Sequence, residues 1–254
     1  MTMPFDSTFR RASIAASAVI LSVLGACAMP GMHDAAVPAT NYQELLASPV
    51  RTERDHGMDA GRHPVELLQF ADVRPGMRVL DIASGGGYTS QVLALAVGPS
   101  GKLWAQTPKP NATLTERMAA HPQPNFMVVT RPFDDPVPPE AAPLDRVTLV
   151  LNYHDISYLP VDRDAMNRKV FAALKPGGYY VIVDHSAQPG TGITTGKTLH
   201  RIDEAFLIAE VQRAGFRLDR EADFMRNAAD TRAGPSGDAK PPSDKFVLRF
   251  VKPA

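Results

Sequence analysis

The chain has 254 residues, enough for one well-packed α/β domain and too few for two large ones. Acidic and basic residues balance at 27 each, so no net field recruits nucleic acid or an anionic membrane surface. Cys27 is the single cysteine, which excludes an internal disulfide, and no Cys-x-x-Cys or His-Glu-x-x-His spacing marks a local zinc site.

The amino end reads as a targeting segment over 1–27. Arg10 and Arg11 precede an apolar stretch at 12–24 that is too short to span a membrane comfortably. Leu24-Gly25-Ala26-Cys27 then supplies small residues for cleavage and resembles the lipobox of bacterial lipoproteins, whose cysteine carries the lipid. That resemblance implies an exported, periplasmic protein held at the cell envelope through Cys27, with membrane contact through this anchor only. An ordinary cleaved signal peptide remains the alternative, and the Arg10-Arg11 pair also resembles a twin-arginine export signal. Residues 28–40, rich in Pro, Ala and Gly, read as a flexible tether. The folded domain is expected over 41–254.

Short helices are expected at 41–47 and 64–70, the second with Pro64 at its start. Five apolar segments then read as strands, at 78–83, 102–106, 126–130, 146–152 and 179–184. Continuous runs such as Val147-Thr148-Leu149-Val150-Leu151 suit strands buried on both faces of a parallel sheet. Helices are expected at 162–174, with Met166, Val170 and Leu174 on one stripe, and at 202–214. Lys175-Pro176-Gly177-Gly178 reads as the stop of the first of these. The final segments, 216–224 and 245–252, are strand-like with no helix between them, so they must pair antiparallel.

The run from Val79 to Thr89 carries the most chemical information. An apolar strand ends in Asp81, passes through Ile82, Ala83 and Ser84 into Gly85-Gly86-Gly87, and opens a helix at Tyr88. Glycine lets a ligand approach the main chain, and the helix start presents N–H groups. A dinucleotide fingerprint would need glycine at Ser90, where none stands. Asp-x-Ala-x-Gly-x-Gly instead resembles the first motif of class I S-adenosylmethionine-dependent methyltransferases, with Ala83 in place of a usual glycine. The terminal antiparallel pair and the stretch at 174–178 extend the likeness, more narrowly to a branch of exported predicted methyltransferases. The resemblance implies a doubly wound, mostly parallel seven-stranded α/β sheet with an antiparallel C-terminal hairpin.

It also implies S-adenosylmethionine as cofactor, held by Asp81, Ala83, Ser84, Gly85, Gly87 and Tyr88 at the first strand end. At the second end Gln106 stands where the family commonly has an acidic residue for the ribose. At the third, Phe133 and Asp134 are expected beside the adenine, a plain polar turn being the other reading. The fourth end, Asn152-Tyr153-His154-Asp155, falls where the family meets cofactor and substrate. His154 is expected as a proton acceptor near neutral pH, Asp155 as its orienting partner or as the holder of a cationic group, and Tyr153 as a ring facing the sulfonium. A turn cap and a solvated histidine are the plain readings there. At the fifth end His185 joins the catalytic candidates. Asp184, His185 and Asp155 do not match a metal-ligand pattern closely, and no metal is expected. The glycine-bearing segment at 187–197 suits a mobile lid, a merely flexible surface loop being the plain reading. The expected activity is methyl transfer to a small molecule or envelope component. A non-catalytic binding lipoprotein on the same scaffold and a nicotinamide-dependent oxidoreductase are the rival readings.

Overall fold

The computed structural model describes residues 41–238 and 242–254; the expected signal peptide, Cys27 and the tether lie outside the described residues. Three helices come first: α1 (Tyr42–Leu46), α2 (Glu53–Arg62) and α3 (Pro64–Ala71). Strands and helices then alternate through β1 (Arg78–Ile82), α4 (Tyr88–Val97), β2 (Lys102–Thr107), α5 (Ala112–Ala120) and β3 (Phe126–Thr130). The second half runs β4 (Leu144–Val150), α6 (Tyr153–Ile156), α7 (Arg163–Ala173), β5 (Leu174–His185), α8 (Gly196–Leu199) and α9 (Glu204–Arg213). It closes with β6 (Arg217–Ala222) and β7 (Lys245–Val251).

The sheet order is β3-β2-β1-β4-β5-β7-β6. The first five strands in that order pair parallel, and β7 pairs antiparallel with both β5 and β6. Strand order reverses between β1 and β4, the position at which open α/β sheets bind ligands. Alternation of side chains sends Leu80, Ile82, Val147, Leu149, Tyr180 and Ile182 into a core with Met166, Val170, Leu207 and Val211 of α7 and α9. Their neighbours Val79, Leu103, Ala105, Val181 and Val183 face the opposite core, against Leu67, Leu68, Val92 and Leu93. Each fully buried aliphatic side chain contributes about 1.5–3 kcal/mol, which ties both helical layers to the sheet.

Four local features depart from the sequence expectations. Helix α2 was not expected: it is polar, contains Gly57 and Gly61, and offers no apolar stripe. A capping box starts it, Thr52 Oγ1 accepting from the Asp55 N–H at 3.2 Å and Asp55 Oδ2 from the Thr52 N–H at 2.9 Å. Strand β4 stops at Val150 because Leu151 turns the chain in the left-handed region at φ 58°. Residues 175–178 bulge inside β5: Leu174 pairs with Leu144, and pairing resumes with Tyr179 opposite Arg146. The segment at 187–197 is cross-tied, correcting the expected lid. The Gly190 N–H donates to Asp203 Oδ2 at 2.6 Å, and the Asp203 N–H donates to the Gly192 carbonyl at 3.0 Å.

Candidate active site

The glycine turn forms one wall of a cavity of about 260 Å³ at the carboxyl end of β1. Ala83 adopts φ 58°, the backbone conformation for which glycine is usual, and its N–H donates to Gln106 Oε1 at 3.0 Å. The Ser84 hydroxyl bonds to the carbonyls of Asp81 and Gln106, at 3.0 and 3.1 Å, which tightens the turn. Gly85, at φ +54°, has nothing within 4 Å of the place a Cβ would occupy, so that side of the turn is open to a ligand. Gly87 serves packing instead: a Cβ there would lie 2.6 Å from Leu114 Cδ1.

Asp81 lies beneath the turn, 1 % exposed, with Ser90 and Thr148 hydroxyls donating to its carboxylate at 2.5 and 2.7 Å. Burial pushes its pKa up to about 6, against the pull of those two hydroxyls and of Arg62. The opposite wall comes from α2, whose Arg54, Met58 and Arg62 line the cavity. Arg117 of α5 fixes α2 to the turn. Its Nε donates to the Gly86 carbonyl at 3.0 Å, and its two terminal nitrogens hold Asp55 at 2.7 and 2.8 Å. A second tie runs from Arg51 to Asp59, which also accepts from the Tyr88 hydroxyl at 2.6 Å. The cavity thus joins one buried acid, three arginines (Arg54, Arg62 and Arg117) and an exposed stretch of backbone.

Of the expected cofactor residues, Asp81, Ala83, Ser84, Gly85, Tyr88 and Asn152 line this cavity. Gln106 does not, which corrects its expected place at the ribose. It is fully buried, its Oε1 accepting from Ala83 and its Nε2 donating to the Arg131 carbonyl at 2.5 Å, so the amide clamps the three strand ends β1, β2 and β3. Phe133 packs onto the α7-side core and Asp134 is exposed; neither reaches the cavity. Tyr153 is also corrected. Its ring is fully buried, and its hydroxyl donates to Glu210 Oε2 at 3.0 Å and accepts from Asn167 at 2.8 Å, away from the cavity.

His154, Asp155 and His185 gather in a second cluster at the β4 and β5 ends, and sequence reasoning missed its fourth member, His200. His154 is 3 % exposed; its Nδ1 meets Asp184 Oδ1 at 2.5 Å and its Nε2 meets Asp155 Oδ1 at 3.2 Å. Burial opposes its charge, but Asp184 and Asp155 outweigh burial and raise its pKa to about 9. Both ring nitrogens are thus engaged by carboxylates, which leaves neither free to take a proton from an acceptor and corrects the expectation of a base there. Burial works against the Asp155 carboxylate too, yet His154, His200 and Tyr158 hold its pKa down to about 2. Burial lowers His185 to about 4, and its Nδ1 lies 2.8 Å from Ser243 Oγ. His200, the residue that follows α8, leans on Asp155, Nδ1 to Oδ1 at 2.8 Å. No sequence spacing announces a partner this far along the chain; only the cross-tied loop delivers it.

Residues 42–110, which include α2 and the glycine turn, match the family model of protein-L-isoaspartate(D-aspartate) O-methyltransferase. The ubiquinone/menaquinone biosynthesis C-methyltransferase UbiE of Bordetella parapertussis is 30% identical over 133 residues, 51% of this chain and 50% of that protein. The Burkholderia vietnamiensis UbiE is 25% identical over 186 residues, 68% of each chain. The chain thus spans about half the length of the first of these relatives. Among solved structures, a methyltransferase from Aquifex aeolicus superposes with TM-score 0.56 at 17% identity, covering 84% of this chain and 98% of that one. A putative methyltransferase from Haloferax volcanii, in complex with the Trm112 activator, gives TM-score 0.58 at 18% identity, covering 79% and 93%. At such identities the structures speak for the fold alone, and the sequence matches lie mainly in the glycine-turn half: the chain has the class I methyltransferase fold and is similar in sequence to S-adenosylmethionine-dependent methyltransferases.

Proposed function

We propose that the protein transfers a methyl group from S-adenosylmethionine to a small-molecule acceptor. The observation that carries this reading is the open space at Gly85 above the buried Asp81. A ligand fits there as a side chain cannot, and the groups around it suit an amino acid's two charges. Asp81 would face the ammonium of the methionine part, while Arg54 and Arg62 on the rim would take its carboxylate. The Ala83–Ser84 turn, fixed through Gln106, would hold the backbone edge in place. When bound, the cofactor supplies an electrophilic methyl on a sulfonium. The chain's own contribution is then positioning, which brings acceptor and donor to near-attack distance. Asn152 lines the cavity and leads into α6, so an acceptor would enter from the α6 side, past the half-exposed Tyr158 and Leu159. Since Asp184 and Asp155 engage both ring nitrogens of His154, this reading asks no proton abstraction of it.

Export and lipid anchoring at Cys27 form part of the same proposal, supported by the order of basic, apolar and small residues over 1–27. Among the described residues no helix is long and apolar enough to cross a membrane. Calorimetric titration of the purified protein with S-adenosylhomocysteine, S-adenosylmethionine and NAD tests the cofactor reading. Binding of the first two and not of NAD is expected. Absence of heat with both adenosyl ligands would end it.

A further inference from the structure

We propose that His154, Asp155 and His200 form a binding site for a divalent first-row transition-metal ion, with zinc as the best match. Among the described residues these three bring one ligand atom each to within 4.8 Å of one another. His154 Nε2 and His200 Nδ1 both converge on Asp155 Oδ1, at 3.2 and 2.8 Å. Two zinc bonds of about 2.0–2.1 Å at a tetrahedral angle separate their donor atoms by about 3.3 Å. An ion can therefore replace these direct contacts with small side-chain movement. The two imidazoles stand almost perpendicular, at 87° with centroids 5.6 Å apart, and so approach the carboxylate from different directions.

A second, independent feature points the same way. Asp184 is fully buried and grips His154 twice, at Nδ1 and, through Oδ2, at the backbone N–H at 2.8 Å. That grip fixes the ring with Nε2 turned toward Asp155. A carboxylate holding the far nitrogen is the usual outer arrangement of a metal-binding histidine, since it sets tautomer and basicity. Asp155 is steadied as well, accepting from the Tyr158 hydroxyl at 3.1 Å. Two imidazoles and one carboxylate are a ligand set suited to zinc or iron(II), with coordination positions left over. The side chains of Asp155 and His200 are 36% and 49% exposed, so the remaining positions open to solvent. An open position takes water or an anionic oxygen of a ligand. On binding, the Nε2–metal bond forms as the Nε2 proton leaves to solvent, and nothing is oxidised or reduced.

This ligand set differs from Asp155, Asp184 and His185. Asp184 is committed to His154 and to the His185 N–H at 2.7 Å, and His185 turns its Nδ1 to Ser243. The site stands independently of the methyl-donor reading, because the probe is the metal alone.

The test is calorimetric titration of the chelator-stripped full chain with Zn²⁺, followed by Co²⁺ absorption to read coordination geometry. One ion per chain is expected, with intense four-coordinate Co²⁺ bands. His200→Ala and Asp155→Ala, both on partly exposed side chains, should weaken zinc binding by more than the ~10- to 100-fold that loss of an outer partner costs. Asp184→Asn should fall within that smaller range, and His185→Ala should leave affinity unchanged. Far-ultraviolet circular dichroism checks that each variant is folded. Lack of stoichiometric zinc in the wild type overturns the proposal. So does wild-type affinity in both His200→Ala and Asp155→Ala, or loss only in Cys27→Ala. A protein that takes zinc without S-adenosylhomocysteine keeps this site and sinks the methyl-donor reading; the reverse result does the opposite.

Discussion

Gly85 and Gly87 stand two positions apart and hold different parts of the molecule. Valine at either meets a left-handed backbone, a strain of about 1–3 kcal/mol. At Gly85 the new side chain enters open cavity, so Gly85→Val is expected to fold and to lose S-adenosylhomocysteine binding, read by calorimetry beside a thermal melt. At Gly87 it meets Leu114, and overpacking adds about 1–3 kcal/mol, so Gly87→Val should show the larger fall in urea midpoint. Equal midpoints for the two variants would contradict this division. Asp81 predicts a pH effect. Its folded pKa of about 6 lies above the ordinary 3.8, so the protonated form favours the fold. That contribution is full below 3.8 and is lost as pH rises through 6, about 3 kcal/mol across the window. Asp81→Asn keeps a neutral group there and should flatten the slope of stability between pH 4 and pH 6, measured by denaturation at several pH values.

At the scale of elements, α2 decides whether the cavity has a second wall. Its order rests on ion pairs, with the Asp55–Arg117 bridge at 2.7 Å buried to 1% and 9% exposure. Arg117→Ala leaves a buried carboxylate unpaired, which costs about 3–5 kcal/mol, and should expose 53–62 to limited proteolysis while the sheet survives. Burial works against the Asp55 carboxylate, but Arg117 and Thr52 overcome it and hold its pKa at about 2. The stability it gives is present above 3.8 and is lost as pH falls toward 2, so acid should release α2 before the sheet; amide exchange at pH 3 would show the order. The same helix marks the limit of what could be read in the chain. Strands β1 to β3 and helices α7 and α9 were legible because apolar periodicity is local. Helix α2 has no such period, and its partner Arg117 is 62 residues away; the Thr52-x-x-Asp55 capping box was its only local sign. In the site, the turn residues were legible because glycine backbone needs are local. Gln106, Tyr153 and His200 were misread or missed because side-chain direction at a strand end depends on what packs across it, and a sequence does not display that.

The whole molecule raises the question of where and when it folds. If Cys27 carries a lipid, the wild type should fractionate with membranes and incorporate labelled fatty acid, and Cys27→Ala should do neither. A wild type that stays soluble and unlabelled would remove the anchor. The sheet order bears on the route. Strand β7 lies between β5 and β6, although β6 precedes it in the chain. On the ribosome, therefore, β6 emerges with no strand to hold it, and the apolar Val181–Val183 edge of β5 stays uncovered until residues 245–251 follow. In a Cys27→Ala background, a chain ended after Pro242 should accumulate as aggregate whereas the one that includes 245–251 should not, because an open apolar strand edge recruits other chains. The parallel half of the sheet adds distant pairings that close slowly. The β5 edge is thus closed only when β7 joins it, so the antiparallel side of the sheet cannot form until that late strand has been made.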